Sequence, residues 1–125
     1  MGRYYQGDIE GKFWLGVQSS DDASFFGSEP HEPNYINYHF DRDEHLDLVK
    51  KGVKECIKML GKNKKILDKF FKDNNGYNDD MIMNQTNIPM RKIPHLLSWY
   101  ARLDLGNKIL NHLKENEDCF FEAEL

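Results

Sequence analysis

The strongest constraint on the fold is a stripe of apolar residues with helical spacing. It begins at Leu46, and Asp41 or Asp43 is placed to cap the helix that would carry it. Gly61 marks a kink or a break. The sequence therefore predicts a long helical segment over residues 43–73, either continuous or interrupted at Gly61. The stripe comprises Leu46, Val49, Val53, Cys56 or Ile57, and Leu60, and the apolar pattern continues through Ile66, Leu67, Phe70 and Phe71.

Four short segments rich in aromatic and β-branched residues predict strands. Turn residues join the first two, which indicates an N-terminal hairpin. The last segment is expected to pair with that hairpin. The four segments are residues 3–6, 12–18, 34–40 and 119–125.

Two further features are predicted between the hairpin and the third strand. Gly16 leaves bare backbone beside Trp14, which favours close approach by a ligand or a second subunit. Ser19 or Ser20 then caps a short helix that Gly27 ends. A loop is expected over residues 29–33.

The C-terminal half predicts a second helical segment. It starts at Pro94, because proline is favoured in a first helical turn. A break is expected at Leu105-Gly106, followed by a last helix over residues 107–115. The complete prediction is a single α+β domain spanning residues 1–125, in which a small antiparallel sheet packs on two long helical segments.

Composition excludes several classes of protein. The hydrophobic content is 39%, and an aromatic content of 13% supplies enough buried area to disfavour disorder. Apolar runs fall far short of the roughly 20 residues that span a bilayer. The first residues lack the basic-then-apolar order of a signal peptide. We therefore expect an intracellular protein without a membrane partner.

Charge is distributed unevenly along the chain. The net charge is −7 over residues 1–49, +7 over residues 50–72 and −4 over residues 73–125. One interpretation is a solvated, lysine-rich helix on an acidic protein. Two others remain open: an anionic ligand docks near the lysines, or oppositely charged surfaces of two subunits meet in an oligomer.

Signals for catalysis and metal binding are weak. Cys56 and Cys119 are the only cysteines, and both lie among apolar residues, as buried thiols do. No histidine pair has metal-ligand spacing, and no phosphate-binding or nucleophile motif is present. The prediction is therefore no catalytic residue, no metal and no cofactor.

The polar segment after residue 70 is more suggestive. It mixes aromatic rings, amides and guanidinium groups, a combination that suits a nucleotide: rings stack on the base, amides bind its edge, and arginine neutralises phosphate. A solvated helix with capping asparagines is the alternative interpretation. The predicted ligand residues are Phe71, Tyr77, Asn84, Asn87, Arg91, His95 and Arg102, with Gln85 and Trp99 nearby.

Three word patterns carry a family resemblance: GRYYQGDIEGKFW, VQSSDDASFFG and the terminal CFFEAEL. With them, the chain resembles small phage and viral proteins, and its length and element order are similar to the phage anti-Thoeris sponge family. The resemblance implies a non-enzymatic protein that captures glycosidic cyclic ADP-ribose signals made by bacterial TIR enzymes, or cyclic oligonucleotides. It also implies assembly from dimers, with the ligand in pockets at subunit interfaces.

The resemblance implies ligand contacts from an aromatic ring that stacks on adenine, from an asparagine and from arginines. The nearest candidates are Phe71 or Tyr77, Asn84 or Asn87, and Arg91 or Arg102. The expected partners are a small cyclic nucleotide and further copies of the chain, without a nucleic-acid polymer. The expected location is the cytoplasm of the infected host cell. Two other hypotheses remain open: an anti-CRISPR-like inhibitor that binds a host defence complex, and a cyclic-nucleotide-processing enzyme with His95 or His45 as general base.

Overall fold

A computed structural model describes residues 3–14, 16–27 and 36–123. Within these residues the chain forms one four-stranded antiparallel sheet and four α-helices, which confirms the predicted α+β class. Two short 3-10 turns occupy Asp22–Phe26 and Met90–Lys92. The strands are β1 (Tyr4–Gly7), β2 (Gly11–Lys12), β3 (Ile36–Asp41) and β4 (Asp118–Ala123), and the helices are α1 (Arg42–Leu60), α2 (Asn63–Asp73), α3 (Asp79–Thr86) and α4 (Ile93–Glu115).

The sheet has the strand order β2-β1-β4-β3, so the C-terminal strand lies between the N-terminal hairpin and β3. Tyr5 pairs with Ala123, and Tyr38 pairs with Phe121. Alternate residues of β4 point to opposite faces. Phe121 is therefore buried against the helices, whereas Phe120 is 54% exposed on the other face.

The predicted strand over residues 12–18 is wrong beyond Lys12. The chain turns instead, because the amides of Val17 and Gln18 donate to the Trp14 carbonyl at 3.2 and 3.0 Å. Gly16 has a φ of 80° in this turn, which is a conformation that glycine adopts without strain. That conformation accounts for the glycine, and Leu15 lies outside the described residues.

The predicted short helix is present as the 3-10 turn over Asp22–Phe26. Gly27 ends it in the left-handed conformation, as predicted. The expected serine cap is wrong, because Ser19 donates to the Asp21 carboxylate and Ser20 accepts from the Arg3 guanidinium. The predicted loop over residues 29–33 lies outside the described residues.

The first helical segment is broken at Gly61, which separates α1 from α2. Asp41 caps α1, and its carboxylate accepts from the amides of Asp43 and Glu44 at 2.8 and 3.2 Å. Gly61 has a φ of 55°, which an L-residue rarely adopts. Of the two predicted cap residues, Asp41 is therefore the cap, and of the two possibilities left open at Gly61, the helical segment is interrupted there.

The second helical segment is one continuous helix, so the predicted break at Leu105-Gly106 is wrong. It begins with Ile93 and has Pro94 in its first turn, as expected. A Cβ at residue 106 would lie 2.6 Å from the ring of Phe26, which is fully buried. Gly106 therefore admits an aromatic ring to the core and does not end the helix. Among the described helices, none combines the length and apolarity needed to cross a membrane.

Candidate functional site

Two of the predicted ligand residues meet in an aromatic cluster formed by Trp14, Phe71, Tyr77 and Tyr100. The ring centroids of Trp14 lie 5.3 Å from Phe71 and 5.5 Å from Tyr77. Phe71 in turn lies 5.4 Å from Tyr77 and stacks on Tyr100 at 5.3 Å. These separations are those of favourable aromatic pairs.

Four structural segments build this aromatic cluster, and two of them are adjacent in the sequence. The turn after β2 presents Trp14, α2 presents Phe71, the loop before α3 presents Tyr77, and α4 presents Tyr100. Tyr77 is the most open member, at 38% exposed, while Trp14, Phe71 and Tyr100 are half-buried. The cluster therefore has a packed interior and an edge that faces solvent.

A cavity of about 280 Å³ lies at this open edge, lined by Lys12, Phe13, Trp14 and Tyr77. Lys12 has no carboxylate within ion-pair distance in the part of the chain that the structure describes. The Lys12 ammonium does lie over the Tyr4 ring, 6.0 Å from its centroid. Flat rings beside an ammonium group that has no carboxylate partner suit a planar base that carries a phosphate. The cavity volume is just below the range of about 300–1,000 Å³ that is typical of complete ligand sites.

Tyr100 anchors the closed side of the cluster. Its hydroxyl donates to Asp68 at 2.6 Å, and Asp68 also pairs with Lys64 at 2.8 Å. Burial, with the Asp68 carboxylate beside it, raises the pKa of Tyr100. Burial alone would raise the pKa of Asp68, but hydrogen bonds from Lys64 and Tyr100 lower it. At neutral pH the phenol is therefore the donor and the carboxylate is the acceptor.

Arg102 occupies a different environment, which we call the Asp22–Arg102 pair. Its Nε donates to Asp22 Oδ1 at 2.8 Å, and the Asp22 side chain is only 5% exposed. The guanidinium carbon lies 4.6 Å from the ring centroid of Phe25 and 4.7 Å from that of Trp99. The predicted phosphate ligand is thus held by an internal carboxylate and two rings.

A hydrogen-bond chain connects this pair to the aromatic cluster. The Gln18 side chain donates to Asp22 Oδ2 at 2.8 Å and accepts from the Trp14 amide at 3.1 Å. Gln18 and Asp22 are both buried. The backbone position of Trp14 therefore depends on a buried polar network that ends at Arg102.

The remaining predicted ligand residues lie elsewhere. Asn84 is exposed on α3, Asn87 ends that helix with a φ of 64°, and Arg91 is exposed in the 3-10 turn before α4. His95 Nε2 accepts from Trp99 Nε1 at 3.2 Å. Among the described residues, no hydrogen bond or ring contact joins any of these four to the aromatic cluster.

Sequence reasoning missed two members of the cluster as ligand residues. Trp14 carried a signal, because the bare backbone at Gly16 beside it favours close approach by a ligand or a second subunit. Tyr100 carried none, since its neighbours in the cluster come from segments that are distant in the sequence.

The two thiols and the two candidate general bases are otherwise engaged. Burial raises the pKa of Cys56 and of Cys119 to about 12, so both thiols stay protonated at neutral pH. His45 Nδ1 accepts from the Asp41 amide at 2.9 Å. A neutral imidazole has one acceptor nitrogen, and in His45 and His95 that nitrogen already accepts a hydrogen bond. A search of the described residues found no group of three or more metal-binding side chains.

Comparison with known proteins adds no family to this description. No protein-family model, curated protein or solved structure matches the chain.

Proposed function

We propose that this protein is a non-catalytic binder that sequesters a nucleotide second messenger. The observation that carries the proposal is the open edge of the aromatic cluster, where Trp14 and Tyr77 border a cavity beside Lys12. Stacking of a base on an aromatic side chain contributes about 1–3 kcal/mol. Tight capture with slow release would suffice to silence a signal, without any bond being broken.

The resemblance favours glycosidic cyclic ADP-ribose as the ligand, with a cyclic oligonucleotide as the other candidate. The 280 Å³ cavity accommodates a base but not a whole molecule of either kind. The rest of the ligand would lie against a second subunit, so a homodimer or higher oligomer belongs to the proposal. The protein would act in the cytoplasm of an infected host cell.

The state of the histidines supports binding over catalysis. His95 and His45 were the candidate general bases, and each uses its acceptor nitrogen in a hydrogen bond within the protein. A general base must offer that nitrogen to the proton that it removes. A cyclic-nucleotide-processing reaction would therefore first have to break one of these bonds.

The test is calorimetry of the protein with glycosidic cyclic ADP-ribose, comparing Tyr77→Ala with Phe120→Ala. Phe120 is the matched control, because it is another exposed aromatic ring but lies on β4 and stacks on His39. We expect Tyr77→Ala to weaken binding by about tenfold or more, since the stacking of one base is lost. Phe120→Ala should bind as the natural protein does. Equal weakening in both variants would refute the placement of the site.

The fate of the ligand separates the hypotheses. Heat denaturation of the complex should return glycosidic cyclic ADP-ribose chemically unchanged. Recovery of hydrolysed ligand would indicate an enzyme instead. If calorimetry detects no heat of binding with this ligand or with cyclic di- and trinucleotides, the protein is instead a protein-binding inhibitor. Sedimentation that shows only monomer, with and without ligand, would exclude an interfacial pocket.

A further inference from the structure

A second and larger cavity lies between α2 and α3. Its volume is about 640 Å³, more than twice that of the cavity at Trp14 and Tyr77. This volume falls within the range of about 300–1,000 Å³ that holds small ligands. We call it the α2–α3 groove, and it is lined by Lys65, Ile66, Lys69, Phe70, Asp73, Gln85 and Thr86.

The groove has an apolar side and a basic rim. Ile66 and Phe70 are four residues apart on α2 and contribute apolar side chains to the lining. Lys65 and Lys69 are also four residues apart, and both are exposed. Neither has an ion-pair partner among the residues that the structure describes. Like charges at this spacing destabilise a helix, so an anion bound between them would relieve their repulsion.

The surrounding surface strengthens this attraction. Lys62, the residue just before α2, and Lys72, within it, extend the same solvent face, because residues 62, 65, 69 and 72 are spaced by three or four. The stretch that contains them, residues 50–72, has a net charge of +7. A concentration of one sign of charge beside a groove draws anions towards it.

The end of the groove at Asp73 and Gln85 offers oxygen atoms that accept hydrogen bonds. Asp73 is the last residue of α2, where the helix dipole is negative. It has no ion-pair partner in the described part of the chain, although Lys69 is one turn away. Gln85 is fixed on the other wall, since its Oε1 accepts from the side-chain Nδ2 of Asn74 at 3.0 Å. This end suits a hydroxyl or amino group and repels an anion.

We propose that the α2–α3 groove is a binding site for a phosphate-bearing small molecule. The phosphate contacts Lys65 and Lys69, the body of the molecule lies on Ile66 and Phe70, and a hydroxyl or amino group donates to Asp73. The site is separate from the aromatic cluster, and it does not depend on the function proposed above.

The test is a titration of the ¹⁵N-labelled full chain with inorganic tripolyphosphate at low ionic strength, followed by amide shifts of α2 and α3. The K65Q/K69Q variant should bind about tenfold more weakly or worse, because two charged hydrogen-bond donors are removed. K62Q/K72Q is the matched control: it removes the same charge from the same face, outside the groove. It should weaken binding only about twofold, because only the long-range electrostatic attraction of these two lysines for the anion is lost.

Asp73→Asn gives a second, opposite readout. Tripolyphosphate is anionic throughout, so removal of the Asp73 charge should tighten binding by about threefold. Tyr77→Ala should leave tripolyphosphate binding unchanged, which keeps this site distinguishable from the aromatic cluster. Three results would overturn the proposal: no saturable shifts at α2 and α3, equal losses in K65Q/K69Q and K62Q/K72Q, or an unchanged affinity in Asp73→Asn.

Discussion

The Asp22–Arg102 pair and the aromatic cluster both use α4, yet they are opposite in character. Asp22 is buried, and both of its carboxylate oxygens accept hydrogen bonds. Tyr77, in contrast, presents an exposed ring beside an open cavity. The Asp22 carboxylate has hydrogen-bond partners within the protein on both of its oxygens, whereas the aromatic cluster keeps exposed ring surface that a ligand could contact. In this protein the arginine is held within the structure, whereas the rings leave an open edge where the proposed ligand would bind.

Helix geometry explains how neighbouring residues acquire these different roles. Trp99 and Arg102 are three residues apart and share a face of α4, which packs on Phe25 and Asp22. Tyr100 is next to Trp99 in sequence, but it points about 100° away around the helix. It therefore meets Phe71 and Trp14 instead.

The largest effect is expected from breaking the Asp22–Arg102 pair. Asp22→Ala leaves the Arg102 guanidinium and the Gln18 amide without their acceptor, and should lower the free energy of unfolding by about 3 kcal/mol. Asp104→Ala is the control, because it removes a 3.4 Å pair with Lys108 at the surface and should cost less than about 1 kcal/mol. Urea denaturation measures both values. Similar losses would show that the Asp22–Arg102 pair is no more structural than a surface pair.

Alkaline pH should weaken the fold by the next largest amount. Burial raises the pKa of Cys56 and Cys119 to about 12, whereas unfolded thiols ionise near their usual value of roughly 8.5–9. The thiols of the unfolded state therefore lose their protons at lower pH than the buried thiols of the folded state. The stability that the two buried thiols contribute is complete below about pH 8.5 and declines as pH rises towards 12. We expect a loss of about 2 kcal/mol between pH 7 and pH 9.5 in urea denaturation.

The two thiols differ in their surroundings, and this sharpens the comparison. Cys56 lies close enough to Arg102 and Asp22 for their charges to act on it, whereas Cys119 is in β4. Cys119→Ala should remove about half of the pH-dependent loss, measured relative to its own stability at pH 7. A pH dependence that is unchanged in this variant would assign the effect to other groups.

Substitution of Gly106 tests the packing beneath the Asp22–Arg102 pair. Gly106→Ala gains up to about 1 kcal/mol of helix propensity. The new methyl group meets the Phe26 ring at 2.6 Å, and overpacking of this kind costs about 1–3 kcal/mol. We expect a net destabilisation of about 1–2 kcal/mol by thermal or urea unfolding. In a Phe26→Leu background the same change should cost less, and an equal cost there would contradict the steric explanation.

The smallest effect on stability is expected at the open edge of the aromatic cluster. Tyr77→Ala removes a ring that is 38% exposed and should lower the free energy of unfolding by about 1 kcal/mol or less. The same variant carries the largest predicted loss of ligand binding. A loss of stability as large as that of Asp22→Ala would show that Tyr77 is mainly a structural residue.

The elements that the sequence predicts well are those specified by nearby residues. The cap at Asp41 contacts amides two and three positions away. Gly61 breaks the helix by its own backbone conformation. The C-terminal strand is recognisable from alternation within a few residues, and the sheet then follows from the small number of strands available to pair.

The features that the sequence does not predict depend on distant partners. Arg102 is predicted to be a phosphate ligand because Asp22, 80 positions away, is not visible as its partner. The sequence predicts a helix break at Gly106 because it does not show that the distant Phe26 ring packs against this glycine. Lys65 and Lys69 indicate a ligand only once α3 supplies the second wall of the groove.

The central position of β4 has a consequence for how the protein is made. Tyr5 pairs with Ala123, so the sheet joins segments from opposite ends of the chain. During synthesis β1 and β3 leave the ribosome before β4, so neither can pair with β4 until that strand has been made. Pairing over such sequence separations is slow. We therefore expect closure of the sheet to be a late step of folding.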